Sequence, residues 1–183
     1  YTKFVASIST ANMSYLLEKF LQYIPDHGSV LDAGCGTGRD SLSMKDMGYQ
    51  VSAFDASVKM VELARENTGL PVLHDTFETV EYKKESFDGI WASASLLHVV
   101  REDMIDVLNK LHSFLKPDGT LYVSYKLREE DFSDGMRQFT CYTEESFKEL
   151  IDNTSLQLMK LEVTKDTRVG RDDELWINAY LKK

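Results

Sequence analysis

Three glycines at alternate positions, Gly34, Gly36 and Gly38, follow directly on the apolar pair Val30 and Leu31 and the acid Asp32, and they constrain this chain more than any other feature. An apolar strand that runs into such a loop brings its backbone close to a ligand at points where a Cβ would collide. A helix then opens at about Arg39 and aims its free N–H groups at the same place. Residues 51–55 read as a second strand ending in Asp55, seventeen residues past the last glycine. A carboxylate there is placed to accept hydrogen bonds from both hydroxyls of a ribose. Together these elements read as a nucleotide-binding β-α-β unit with room for an adenosine.

The glycine spacing separates two kinds of adenosine ligand. A dinucleotide fingerprint is Gly-x-Gly-x-x-Gly, whose third glycine lets the helix carry a pyrophosphate close to the strand. Here the pattern is Gly-x-Gly-x-Gly, and Arg39 stands where that third glycine would be. Pyrophosphate binding is therefore disfavoured. With Asp32 just ahead of it, the segment resembles the first motif of class I S-adenosylmethionine (SAM)-dependent methyltransferases, E/D-x-G-x-G-x-G, and Asp55 resembles their ribose-binding acid. More narrowly, Gly-Thr-Gly-Arg-Asp-Ser-Leu at 36–42, Phe-Asp-Ala-Ser at 54–57 and Ser-Leu-Leu-His-Val at 95–99 resemble small stand-alone bacterial enzymes called tellurite-resistance-like methyltransferases. The resemblance to the class I superfamily spans nearly the whole chain. It implies transfer of a methyl group from SAM, leaving S-adenosylhomocysteine, to a small-molecule acceptor whose reacting atom (oxygen, nitrogen, sulfur or a chalcogen oxyanion) stays open. Two rivals also stay open: a non-catalytic SAM- or nucleotide-binding regulatory module, and an NAD-dependent oxidoreductase, which should carry a glycine at position 39 and a larger second domain.

Composition agrees with a compact enzyme domain. At 183 residues and 43% hydrophobic content, the chain suits one domain around one core. Its formal net charge of −9 repels phosphate backbones, so a nucleic-acid partner is not expected and a small molecule is. Cys35 and Cys141 form no paired framework and no metal-ligand spacing, which fits a reducing cytoplasm and no metal. The longest apolar stretch, near 89–100, is interrupted by Ser93, Ser95 and His98 and is too short to span a bilayer, so no membrane partner is expected. No signal peptide is visible. Because the chain opens on Tyr1 rather than a methionine, a leader or lid upstream is left open. A monomer or homodimer is expected.

Helix and strand patterns alternate along the chain. Met13, Leu16, Leu17, Phe20, Leu21 and Ile24 recur at threes and fours, predicting an amphipathic helix ended by Pro25 and Gly28, within an N-terminal helical segment over 1–28. After Asp55, Ser57 is placed to cap a helix running to about Asn67, with Met60, Val61 and Ala64 facing inward. A short strand over 71–74 and another over 87–92 follow. A helix then carries Met104, Leu108, Leu111 and Leu115 on one face, and 116–119, Lys-Pro-Asp-Gly, reads as a turn before a strand over 119–127. Thr143 opens a helix to about Asp152, with Glu144 and Glu145 favouring its positive end. Two closing strands, near 156–165 and 174–182, flank a charged loop. The predicted architecture is α/β, a doubly wound, Rossmann-like, seven-stranded and mostly parallel sheet whose last strand is reversed, as the family resemblance implies.

The resemblance also distributes roles. The backbone of Gly34, Cys35, Gly36 and Gly38 suits the methionine carboxylate of SAM, with Arg39 in support, while Asp32 orients the amine or braces the loop. Asp55 and Ala56 face the ribose. Asp75 meets the adenine amine with Thr76 and Phe77 behind it, Met60 covers the other adenine face, and Ser93 with its neighbours offers backbone carbonyls to the amine at the carboxyl end of strand four. His98, just beyond that strand, is the expected general base or acceptor-orienting group. Tyr125 is the second catalytic candidate, with Lys126, Arg128, Arg137 and Tyr142 nearby to hold an acceptor. Residues 127–142, the long non-periodic stretch, are the candidate substrate cap.

Overall fold

A computed structural model describes residues 14–171 and 173–183 of the chain. Met13 and the rest of the segment before Ser14 lie outside the described residues. A seven-stranded sheet has the order β3 (Leu73–His74), β2 (Gln50–Asp55), β1 (Ser29–Ala33), β4 (Phe87–Ala92), β5 (Leu115–Lys126), β9 (Leu175–Lys182) and β8 (Gln157–Lys165). The pairs from β3 through β5 are parallel, and β9 runs antiparallel to both β5 and β8. The last strand is thus reversed, as expected, and it slots between β5 and β8 rather than adding at the outside.

Helices α1 (Ser14–Leu21), α2 (Arg39–Asp46), α3 (Val58–Thr68), α4 (Met104–Phe114) and α5 (Glu144–Asp152) flank this sheet. Strand side chains alternate between faces, and the core divides accordingly. Val30, Trp91 and Tyr122 pack in one apolar layer with Leu17, Phe20 and Ile24 of the N-terminal helical region. Their sequence neighbours Leu31, Ile90, Ala92, Leu121 and Val123 pack in the other with Leu108 and Leu111 of α4 and Phe147 of α5. Gly89 lets the first layer close, since a Cβ there would fall 2.4 Å from the Ile24 Cδ1 and 2.7 Å from the Phe20 Cζ.

The helix caps follow the local chemistry read from the chain. Ser57 accepts the Met60 N–H at the start of α3, and Thr143 forms a capping box with Ser146 at the start of α5. Two local expectations are corrected. Residues 116–119 do not form a separate turn: β5 begins at Leu115 and carries them as a bulge, with Asp118 at φ +66° and a register shift against β4 between Phe87 and Gly89. The stretch 127–142 is not irregular throughout, because Phe132–Asp134 (β6) and Arg137–Phe139 (β7) pair as a separate hairpin.

Candidate active site

The carboxyl ends of β1, β2, β4 and β5 lie along one edge of the sheet. Because β9 is antiparallel to β5 and β8, the β8–β9 connection lies at that edge too. A cavity of about 1090 Å³ opens there. It runs from the crevice between β1 and β2 past the end of β4 to the ends of β5, β8 and β9, with the β6–β7 hairpin contributing to its wall. In open α/β sheets this crevice, where strand order reverses, is where ligands bind.

At the β1–β2 end the glycine loop does two jobs. Gly34, Gly36 and Gly38 all have positive φ, of 76°, 56° and 80°, a region that other L-residues enter at a cost. A Cβ on Gly34 would lie 2.4 Å from the Ser95 Cβ, so this glycine lets β1 approach the end of β4, where the Ser95 hydroxyl donates to the Ala33 carbonyl at 2.7 Å. A Cβ on Gly36 would meet nothing within 4 Å, and Gly36 lines the cavity. Gly38 does not line it; its Cα faces α3, where a Cβ would meet Thr68 at 2.7 Å and Ala64 at 3.2 Å.

Asp55 ties the two halves of this end together. One carboxylate oxygen accepts the Gly36 N–H at 2.8 Å and the other accepts the Ser57 N–H at 2.9 Å. A carboxylate has about four acceptor sites, so each oxygen keeps capacity for a further donor, and Asp55 borders the cavity. That capacity, with the open approach to Gly36, fits a ribose diol beside the glycine loop.

Asp32 is buried and takes the Ser41 hydroxyl at 2.5 Å. Burial, then the nearby Asp40 charge, pushes its pKa up to about 8, against the Ser41 hydrogen bond. Arg39 lines the cavity, but its guanidinium donates to Asp40 at 2.8 and 3.1 Å, and Asp40 also accepts the Trp91 indole N–H at 2.9 Å. Arg39 is thereby committed to an ion pair rather than held ready for a carboxylate alone. Burial also raises the Cys35 thiol well above its ordinary pKa, making it an inert wall.

Ala56, Met60, Thr76, Phe77 and Ser93 border the cavity along with Asp32, Cys35 and Asp55. Asp75 is placed otherwise. Its carboxylate accepts the Thr76 N–H at 2.9 Å and the Thr79 hydroxyl at 2.5 Å, contacts that, led by Thr79, hold its pKa below the usual range, and it does not line the cavity. Tyr125 does not line it either. Strand alternation puts its ring in the layer with α4 and α5, fully buried, and its hydroxyl points to the Met104 sulfur at 3.2 Å. Lys126, one residue on, turns to the cavity instead. Tyr142 also falls outside the cavity lining, under Arg101, whose guanidinium carbon lies 4.6 Å from its ring centre.

His98 sits in a 3-10 turn, Leu96–His98, on the cavity wall. Its Nδ1 lies 2.9 Å from the Gln138 carbonyl oxygen. A carbonyl only accepts, so Nδ1 carries the proton and a neutral ring leaves Nε2 with its lone pair. Desolvation in the cleft lowers the His98 pKa below the ordinary histidine value, with the Gln138 carbonyl opposing. The hairpin that supplies this carbonyl is fastened to the same turn, since the Thr140 N–H donates to the Leu97 carbonyl and its hydroxyl to the Val99 carbonyl, each at 2.7 Å.

At the far end of the cavity Lys126, Arg128 and Arg137, expected to hold an acceptor, line the wall, joined by residues the sequence does not point to. Asp166, Arg168 and Glu174 from the β8–β9 connection and Trp176 of β9 line it beside Lys126. Asp166 accepts from the Arg168 guanidinium and, at 3.0 Å, from the Trp176 indole. Burial raises the Asp166 pKa, but these hydrogen bonds, Arg168 first, outweigh it and bring the carboxyl down to about 2.

Residues 30–119, from β1 into β5, match the family model described as a methyltransferase domain. The matched stretch, a little under half of the chain, is thus similar to methyltransferase domains. The chain is 35% identical over 96 residues to an uncharacterized methyltransferase of Staphylococcus carnosus, covering 52% of this chain and 46% of that protein. It is 33% identical over 94 residues to a malonyl-[acyl-carrier protein] O-methyltransferase of Salmonella typhimurium, covering 51% and 37%. The chain thus spans about half the length, or less, of these curated relatives. Its fold matches that of the Burkholderia thailandensis 1,6-didemethyltoxoflavin-N1-methyltransferase, solved with 1,6-didemethyltoxoflavin and S-adenosylhomocysteine, with a TM-score of 0.81 and 19% identity over 100% of this chain and 86% of that one.

Proposed function

We propose that this chain transfers a methyl group from SAM to a small-molecule acceptor. The carrying observation is the pairing of Gly36, whose missing Cβ leaves the cavity open, with Asp55, whose carboxylate spans two loop N–H groups and keeps acceptor capacity on both oxygens. When bound, SAM supplies a methyl group already activated on a sulfonium. Asp55 then holds the ribose, the backbone of 34–36 and the start of α2 face the methionine carboxylate, and Asp32 faces the amine, with Ser41 bracing it. Thr76, Phe77 and Met60 wall the adenine. The β6–β7 hairpin helps to exclude water, and Nε2 of His98 takes a proton from an acceptor that carries one.

The engaged Arg39, standing where a dinucleotide site has its third glycine, disfavours the oxidoreductase reading. At finer grain, we assign the chain to the group resembling tellurite-resistance-like methyltransferases, because the three motifs that carry this likeness all contribute to the cavity wall through residues such as Thr37, Asp55 and His98. A cytoplasmic monomer or homodimer, with no nucleic-acid or membrane partner, belongs to the same proposal. Among the described residues no helix is long and apolar enough to cross a membrane.

Calorimetric titration with SAM, followed by transfer of radiolabelled methyl to a panel of small acceptors, tests the reading. Gly36→Val forces a branched side chain into the cavity at φ +56° and should abolish SAM binding while the sheet persists. Normal SAM binding by this variant would make the loop a mere turn and remove the main support.

A further inference from the structure

The two ends of the cavity carry opposite charge. The end at β1 and β2 is lined by Asp32, Asp40, Asp55 and Glu78 with Arg39 alone among cations, which suits a cationic cofactor. The end at β5, β8 and the hairpin is lined by six cations, among them Lys126, Arg128, Arg168 and Arg171, against the three acids Asp134, Asp166 and Glu174. In a chain with a formal net charge of −9, a basic cleft end is an inversion of the overall field, and a walled cleft focuses such a field on whatever enters.

Lys126 stands at the centre of this end. Its side chain is only 8% exposed, yet it borders the cavity. An ammonium has three donors, and among the described residues the acceptor it reaches is Glu174. Three aromatic rings surround its Nζ, with centres at 5.4 Å (Phe132), 5.7 Å (Phe139) and 5.6 Å (Trp176). Phe132 and Trp176 are only half-buried and line the cavity. Arg128 lies over Phe132, 4.6 Å from the ring centre, and among the described residues no acid pairs with it. A buried ammonium with spare donors and an unpaired guanidinium, both set against flat apolar faces, call for a ligand that brings an anion and a planar body together.

We propose that the far end of the cavity binds the acceptor as a small aromatic carboxylate, its anion held by Lys126 and Arg128 and its ring laid against Trp176. The carboxylate is the anchor, and the rest of the ring extends along the cavity toward His98 and the cofactor end. The role of this ligand as acceptor rests on the methyl-transfer reading, whereas its binding does not.

The test is calorimetric titration of the full chain, with and without S-adenosylhomocysteine, using benzoate, uncharged benzamide, non-aromatic cyclohexanecarboxylate and inorganic sulfate as probes. Benzoate should bind at least about 10-fold more tightly than benzamide and than the other two anions, and its affinity should fall as salt rises from about 0.05 to 0.5 M. Lys126→Met and Arg128→Gln should each weaken benzoate by at least about 5-fold and leave SAM affinity within about 3-fold. Arg128 is exposed, so its variant keeps the test valid if the buried lysine proves necessary for folding. Benzamide or sulfate binding as tightly as benzoate, benzoate failing to bind, or an Arg128→Gln protein that binds it unchanged would overturn the proposal. Failure of SAM to bind while benzoate behaves as described would sink the methyl-transfer reading and leave this site standing.

Discussion

Removing the Asp55 carboxylate should damage the site in two separable ways. In Asp55→Ala the ribose loses a charged acceptor, and a hydrogen bond to a charged group contributes about 1.5–3 kcal/mol. That corresponds to a SAM dissociation constant raised roughly 10- to 160-fold. The same carboxylate accepts the N–H groups of Gly36 and Ser57 at 2.8 and 2.9 Å, so the loop and the entry to α3 lose their shared anchor. The site is only partly buried, and water can replace part of that loss, so each freed donor costs about 1 kcal/mol. For a chain of this size about 2 kcal/mol in total lowers Tm by roughly 4–8 °C. Asp55→Asn keeps one acceptor oxygen but turns an NH2 toward a backbone N–H, so it should fall between wild type and alanine in both properties. Calorimetry with SAM measures the first effect and thermal denaturation of the ligand-free protein the second. A folded Asp55→Ala protein that binds SAM with unchanged affinity would refute the reasoning, whatever its Tm.

Three other perturbations probe different layers of the molecule. The folded-state pKa of Asp32, raised to about 8, means that the folded chain binds more protons than the unfolded one between about pH 4 and 8, so the contribution of Asp32 to stability falls as pH rises through that window. Asp32→Asn should therefore match the ligand-free wild type near pH 4 and exceed it near pH 8 by on the order of several kcal/mol in urea unfolding, whereas parallel stability curves would contradict a buried, unpaired carboxylate. His98→Ala should leave SAM affinity within a few-fold and lower turnover by roughly 10²-fold or more, and the wild-type rate should fall on the acid side of a pKa below about 6.5, an inflection missing from the variant. A flat wild-type profile there would exclude a histidine base. Gly89→Ala drives a methyl group to 2.4 Å from Ile24 and 2.7 Å from Phe20, so it should cost about 1–3 kcal/mol of stability with SAM affinity of the folded fraction intact; unchanged stability would show that Phe20 and Ile24 are not packed tightly on β4.

Legibility in the sequence tracked how local the cause was. The cap of α3 at Ser57, the cap of α5 at Thr143 and the strand ending at Asp55 each depend on residues within a few positions, and the structure has all three. The turn read at 116–119 failed because a bulge and a turn use the same Pro-Asp-Gly chemistry, and only pairing with β4 distinguishes them. Tyr125 and Lys126 both end a strand, so sequence alone does not tell which of them faces the site. The phase of the side-chain alternation, set by which face α4 covers, sends the tyrosine to the core and the lysine to the cavity.

By itself, the sequence determined the glycine loop, the acid that follows it and the doubly wound order of elements, since backbone conformation and apolar periodicity are written residue by residue. The tertiary structure alone decided the far end of the cavity. Asp166, Glu174 and Trp176 are separated from Lys126 by forty residues or more in the chain. They reach it because β9 inserts antiparallel between β5 and β8 and so turns the β8–β9 connection toward the edge where the glycine loop lies. A ladder register of that kind is a contact between distant segments, and no short window of sequence carries it.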